Sequence, residues 1–328
     1  MKKSLRFLVG LSIAAFFMWL LLRQLSWHSI VAALKATNLG LVFLAITVFL
    51  TGYCFRVLRW RLMLLQDNSL LSFKDCATPL FMSFAANNIL PFRAGDLLRA
   101  FGFRKRLHIS LSTSLASLFV ERLLDMLMLL VFLGVMLIFF GSKAYQFLGT
   151  SGWLFVAVAL CIVIILAFPA FFEPIMKLFV KPIIYFVPHL GARIQQGIQN
   201  TFSYLNRLSK GHLLARLLVW SLFAWVCEGL VFWIAALAIP SITDPIAAFL
   251  ALPIGSLSTL IPSTPGYVGT FDFFVVESMK IFGNTSVSAA AFAFLIHMIL
   301  WLPPIVVGAM CFWIKPLTQE ERLELSHQ

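Results

Sequence analysis

The chain has 328 residues, of which 61% are hydrophobic and only 12% charged, and it carries a formal net charge of +12. That much apolar side chain exceeds what a soluble domain can bury, so the composition excludes a soluble enzyme and points to an all-α polytopic membrane protein. The Lys and Arg residues sit in short loops between apolar runs, which reads as topology signals and contact with anionic headgroups, not as a nucleic-acid surface.

The N-terminal MKKSLR is followed by an apolar run to Leu22. No small-residue cleavage site follows and Arg23 closes the run, so a retained first helix is expected in place of a signal peptide. Apolar runs of spanning length lie at 5–22, 39–60, 113–140, 153–172, 213–239 and 287–314. Two further stretches, 78–110 and 249–281, begin as membrane segments and then break, the first at Pro91 and Gly95, the second at Pro262, Pro265, Gly266 and Gly269. Between the halves, 173–210 forms a linker in which Ile194, Ile198, Phe202, Leu205 and Leu208 recur at helical spacing, as in an amphipathic helix on the cytoplasmic leaflet. The five cysteines are scattered, mostly within apolar runs, with no CxxC pair or metal-ligand spacing, so neither a disulfide framework nor a metal site is expected.

Treating the broken stretches as ordinary spans places two basic loops outside and violates the positive-inside rule. Treating each as a hairpin that returns to its own side divides the Lys and Arg residues 20 inside to 4 outside, with Arg122 inside a span. The expected architecture is therefore about six spanning helices plus two re-entrant broken hairpins, as a single integral membrane domain over 1–328 with both termini cytoplasmic. A shift of 171 residues carries Gly95 onto Gly266 and maps the flanking runs onto each other. Helix–hairpin–helix thus recurs in halves at 39–140 and 210–314 of opposite orientation, the inverted-repeat plan of many transporters.

A broken helix frees backbone N–H and C=O groups that lipid cannot satisfy, so two matched breaks point to a polar cavity. Half-helix N-termini there would suit a phosphate. Arg93, Asp96 and Arg99 follow the first break, where an Arg fork holds phosphate and Asp96 would orient it. An ordinary cytoplasmic loop is the competing reading for Arg93 and Arg99, and the accepted one for Arg104, Lys105 and Arg106. Glu121 and Asp125 share a helix face at i,i+4, with Arg122 beside them. A charge at mid-bilayer costs roughly 2.5–3.5 kcal/mol on insertion scales, so this cluster requires partners. Arg56, Arg59, Arg93 and Arg99 are the available ones. A structural ion-pair cluster is expected for Glu121 and Arg122, and a working role for Asp125. Glu228 lies mid-span and must be protonated or paired; His297, equally deep, reads as a packing histidine, with proton coupling as the alternative. GxSxG, HExxH, P-loop and GxGxxG motifs are missing, so no cofactor, ATP site or enzyme activity is expected.

These motifs resemble the lysylphosphatidylglycerol synthase transmembrane, or flippase-like, family, the membrane half of the multiple peptide resistance factor. The matching residues are Arg56-x-x-Arg59-Trp60; Asn88-x-Leu90-Pro91-x-Arg93-x-Gly95-Asp96-x-x-Arg99; Glu121-Arg122-x-x-Asp125; and Pro262-x-x-Pro265-Gly266-x-x-Gly269. Asp272 stands in the area where relatives usually carry a Glu, keeping the charge on a shorter arm. The resemblance implies movement of a polar, anionic lipid between leaflets of a bacterial or archaeal inner membrane. Members are associated with aminoacylated phosphatidylglycerol, cardiolipin, hopanoids and polyprenyl-linked sugars. Without the soluble aminoacyl-transferase domain of the fused members, this chain is not expected to make lysyl-phosphatidylglycerol.

The resulting expectation is a flippase-like lipid transporter. Arg93 and Arg99, with Arg56 and Arg59, receive the headgroup; the two breaks, with Asn88, line its route; Glu121, Arg122, Asp125, Glu228 and Asp272 serve gating or ion coupling. The alternatives are a membrane-embedded lipid-modifying transferase and a non-catalytic accessory protein bound to a lipid-synthesis enzyme. Membrane lipids are the expected partners; the oligomeric state is left open.

Overall fold

In the computed structural model, residues 12–13, 15–20, 27–90, 93–148, 152–186, 188–210, 212–261, 265–319 and 321 are described, and no strand occurs among them. A short α1 (Trp27–Lys35) leads into α2 (Leu39–Leu64) and α3 (Phe73–Ile89). After a break comes α4 (Ala94–Leu97), which continues as a π turn over Leu98–Gly102. Then follow α5 (Leu111–Leu148), α6 (Gly152–Ala167), α7 (Pro169–Phe186) and α8 (Pro188–Leu208). The second half comprises α9 (Leu213–Leu237), α10 (Ala247–Ser258), α11 (Thr270–Ile281) and α12 (Ser286–Ile314).

Among the described residues four helices are long and apolar enough to cross a membrane: α2, most of α5, α9 and α12. The first expected span, 5–22, falls largely outside the described residues. The fourth, 153–172, is not one straight helix: α6 and α7 meet at a bend of 102°. The bend sits just before Pro169, whose ring disfavours helical geometry at the preceding residue and whose missing N–H interrupts the ladder. The linker also differs from expectation. It holds two helices, and the apolar stripe of α8 is covered by protein. Phe202, Tyr204, Leu205 and Leu208 are buried, and the Tyr204 hydroxyl donates to the Met63 carbonyl at 2.9 Å.

Each broken stretch is a hairpin that leaves and returns at one end of the molecule. The α3 N-terminus is fixed by a capping box: Ser72 Oγ accepts from the Asp75 N–H at 3.3 Å, and Asp75 Oδ2 accepts from the Ser72 N–H at 3.0 Å. α3 ends at Leu90, which is extended as expected for a residue preceding proline. The return is clasped at the base: Asn68 Nδ2 donates to the Leu107 carbonyl at 2.9 Å, and Asp67 Oδ2 accepts from the Ser110 N–H at 2.7 Å. In the second hairpin Asn284 does the clasping. Its Oδ1 accepts from the N–H groups of Thr243 at 2.9 Å and Asp244 at 3.1 Å, and its Nδ2 donates to the Asp244 carbonyl at 3.0 Å.

α2 and α9 run antiparallel: the Asn38 N–H at the start of one donates to the Ala238 carbonyl at the end of the other, at 2.8 Å. The two hairpin bases, which follow the C-termini of α2 and α9, therefore lie at opposite ends. Pairing across the halves follows the repeat, with α3 on α12 and α10 on α5. The first of these contacts is close enough that a Cβ on Gly308 would fall 2.4 Å from the Ala85 Cβ and 2.6 Å from the Phe81 carbonyl oxygen.

Candidate functional site

The tips of the two hairpins meet inside the bundle beside a cavity of about 500 Å³. Arg93 sits on the first tip. Its Nε donates to the Tyr267 hydroxyl at 2.9 Å and its Nη2 to Thr259 Oγ1 at 3.3 Å, both on the second tip. Asn88 and Trp301 tie the first tip to α12 by two bonds: Asn88 Nδ2 donates to the Trp301 carbonyl at 3.1 Å, and Trp301 Nε1 to the Asn88 carbonyl at 3.0 Å. Gly266, at φ 72°, passes so close to Trp301 that a Cβ there would lie 2.9 Å from Nε1. Gly95 is tighter still, since its Cβ would fall 1.9 Å from the Ser83 carbonyl oxygen. These contacts explain glycine at both breaks: the arms of the first hairpin touch backbone to backbone, and the second tip slides under an indole.

Ion pairs hold the helices around the cavity. Arg56 Nη2 lies 2.9 Å from Glu228 Oε2, with its guanidinium between the rings of Tyr53 and Trp225 at 5.8 and 5.3 Å from their centroids. Arg122 Nη2 lies 2.8 Å from Asp96 Oδ2 and Nη1 3.8 Å from Asp125 Oδ2. Behind this wall, Arg59 Nη1 donates to Asp125 Oδ1 at 2.8 Å and to Ser221 Oγ at 3.1 Å, while Trp225 Nε1 donates to the same carboxylate oxygen at 3.1 Å. Arg99 Nη2 donates to Glu121 Oε1 at 2.8 Å and stacks over Trp60 at 5.1 Å. Among the described residues Arg93 has hydroxyl partners and no carboxylate within ion-pair distance.

The structure divides the residues singled out from the sequence. Arg56, Asn88, Arg93, Arg122, Asp125, Glu228 and Gly266 line the cavity. Arg59 and Arg99 do not: both are buried, 0% and 1% exposed, and spent on Asp125 and Glu121. The π turn at Leu98–Gly102 turns Arg99 inward, away from the tip. Neither of these two is placed to receive a headgroup. Asp96 orients Arg122 more closely than Arg99, whose Nη2 stands 3.9 Å away. Glu121 and Asp125 share a buried face, as their spacing implied, but Asp125 is locked between Arg59 and Trp225, whereas Arg122, with a side chain 38% exposed, is the freer group.

The helix N-termini at the breaks are also taken. The Asp96 N–H donates to Asn87 Oδ1 at 3.1 Å, and the Gly269 N–H donates to Asp272 Oδ2 at 2.9 Å, so these donors serve the chain's own side chains in place of a phosphate. Pro91 and Pro262 lie outside the described residues, and Pro265 opens the single turn Pro265–Tyr267.

Tyr53, Asn87, Trp225, Thr259, Tyr267 and Trp301 complete the site and escaped sequence reasoning. Asn87 beside Asn88 and Tyr267 beside Gly266 carried a positional signal. Trp225 and Trp301 carried none, because an indole in an apolar span reads as core. His297 is satisfied, as a packing histidine should be, with Nδ1 2.7 Å from Asp272 Oδ1, yet it also lines the cavity.

Comparison with known proteins agrees with this architecture. The family model described as "Lysylphosphatidylglycerol synthase TM region" matches residues 7–308. A UPF0104 membrane protein of Methanocaldococcus jannaschii is 23% identical over 230 residues, spanning 70% of this chain and 93% of the relative.

Proposed function

The chain belongs to the lysylphosphatidylglycerol synthase transmembrane-region family, and from that premise we propose that it moves an anionic phospholipid or lipid-linked intermediate between the leaflets of a bacterial or archaeal cytoplasmic membrane. The observation that carries this reading is Arg93, a cation with no carboxylate within ion-pair distance among the described residues, held at the junction of two broken hairpins beside a cavity of about 500 Å³. A volume of that order suits a small polar ligand. An arginine fork presented by neutral hydroxyls keeps its charge available for a phosphodiester, since exchanging hydroxyls for a phosphate strengthens its hydrogen bonds. Arg56 and Arg122 flank it from the cavity wall, while Arg59 and Arg99 act from behind by fixing Asp125 and Glu121. The headgroup passes through this cavity along the charged side chains that line it, and the acyl chains remain in lipid. The distribution of Lys and Arg supports a cytoplasmic side for both termini and the first hairpin base.

The test is reconstitution into liposomes with fluorescent phosphatidylglycerol and phosphatidylcholine, read by chemical quenching of the outer leaflet. Wild type speeds exchange of the anionic probe, Arg93→Ala slows that exchange strongly, and Arg193→Ala, on the exposed face of α8, behaves as wild type. Exchange by Arg93→Ala at the wild-type rate overturns the site. A chemically altered lipid on overproduction, with no relocation, overturns transport in favour of a transferase.

A further inference from the structure

Resting on the transport reading, we propose that Asp272 and His297 form a proton-binding site that fills together with the anionic headgroup. Both residues are buried, on α11 and α12. Asp272 uses one oxygen on each neighbour: Oδ2 accepts from the Gly269 N–H at the second break, and Oδ1 faces His297 Nδ1 at 2.7 Å. A carboxylate opposite Nδ1 fixes the tautomer with the proton on that nitrogen. The ring lines the cavity, and Nε2 has no hydrogen-bond partner among the described residues, so it is the nitrogen able to take a proton from the cavity.

The surrounding charges give this proton a function. From α2 comes Arg56, from α9 Glu228, from α5 Arg122 and Asp125, and from the first tip Arg93. α3 contributes the neutral amides Asn87 and Asn88. α1 also packs on α12, but its His28 and Lys35 do not line the cavity. Arg56, Arg59, Arg99 and Arg122 each have a close carboxylate in Glu228, Asp125, Glu121 and Asp96. What remains is Arg93 on the cavity wall and Asp272 behind the His297 ring. With His297 neutral these two formal charges offset each other. A proton on Nε2 cancels the Asp272 charge and leaves Arg93 to be matched by one negative headgroup. His297 lies one helical turn before Trp301, which is bonded to the first tip, so the proton sits close to where the phosphate is received. Anion and proton therefore favour each other's binding, and the effect is reciprocal.

Calorimetry on the full chain in nanodiscs, titrated at pH 7.5 with dihexanoyl phosphatidylglycerol in HEPES and in Tris, counts protons from the buffer dependence of the heat. Wild type takes up about one proton per lipid bound, and binds about tenfold more tightly at pH 6 than at pH 8. His297→Gln and Asp272→Asn bind with no proton uptake and no pH dependence; dihexanoyl phosphatidylcholine elicits none in wild type. Lipid binding by wild type without proton uptake, or unchanged uptake in a folded His297→Gln, overturns the proton site and leaves the transport reading standing. No binding of the anionic lipid at any pH overturns both.

Discussion

Arg93 and Tyr267 touch across the hairpin tips, and both hold a left-handed backbone, at φ 53° and 60°. For non-glycine residues that conformation costs on the order of 1–2 kcal/mol each, and such strain persists where the surroundings over-determine it. The contact is thus maintained against local backbone preference, and replacing either residue separates two effects. Arg93→Lys keeps the charge and loses the fork; Tyr267→Phe keeps the ring and loses the hydroxyl. Charge-assisted hydrogen bonds contribute about 1.5–3 kcal/mol, so Arg93→Ala should slow anionic-lipid exchange by roughly 10- to 150-fold, Arg93→Lys less, and Tyr267→Phe by severalfold at most. Rates of fluorescent-lipid exchange, with melting temperatures as a folding control, check the order.

Glycine at the breaks has a steric basis. Gly95→Ala forces a methyl to within 1.9 Å of the Ser83 carbonyl oxygen, and Gly308→Ala to within 2.4 Å of Ala85. Overpacking of this kind costs typically about 1–3 kcal/mol, and both variants should melt several degrees below wild type in the same detergent. Gly134→Ala, where a Cβ meets nothing within 4 Å, should not.

The Arg59–Asp125 pair should behave as a structural lock. Removing one partner of a buried pair strands a charge and costs about 3–5 kcal/mol, so Arg59→Met or Asp125→Leu alone should destabilise strongly, and the two together much less. Resistance to denaturation of the single and double variants reads this directly. A double variant that is stable and still moves lipid would confirm that Asp125 positions the wall and does not handle substrate.

Asp67, in the exposed connection between α2 and α3, tests the clasp at the first hairpin base. Its slight burial raises its pKa, but the backbone and side-chain hydrogen bonds of Ser110, and that of Thr113, outweigh this and hold the carboxyl below its ordinary value. A lowered folded-state value stabilises above the unfolded carboxylate range near pH 4, and that contribution is lost as pH falls through the folded value. Wild type should therefore lose more stability than Asp67→Asn between pH 6 and pH 3, measured by thermal unfolding.

Opposed hairpin bases make a two-sided labelling prediction. In a cysteine-free background, Lys105→Cys and Ser241→Cys, both exposed at the two bases, should react with an impermeant maleimide from opposite faces of the membrane, Lys105→Cys from the cytoplasm.

The hairpins were legible because proline, glycine and charge interrupt runs that composition otherwise commits to lipid, and because the interruption recurs at a fixed shift. The pairing of arginines with carboxylates was not. Which guanidinium meets which carboxylate depends on the rotation of each helix about its axis, and the π turn that buries Arg99 leaves no periodic signature. The bend at Phe168 was hidden by an apolar run continuous on both sides, although the proline after it marked the place. Periodicity revealed the stripe of α8 but cannot distinguish a lipid-facing stripe from one that packs on Met63.

The scaffold is doubled but Arg93 is not. Shifted by 171 residues, Arg93 falls on Thr264 and Tyr267 on Asp96, so the halves share a backbone plan and differ in what the tips present. Exchanging the conformations of the halves would leave the outline of the molecule nearly unchanged while carrying the Arg93 guanidinium toward the other leaflet. Two such states would look alike in shape and differ in energy, a bias that membrane voltage, acting on that displaced charge, is able to tilt.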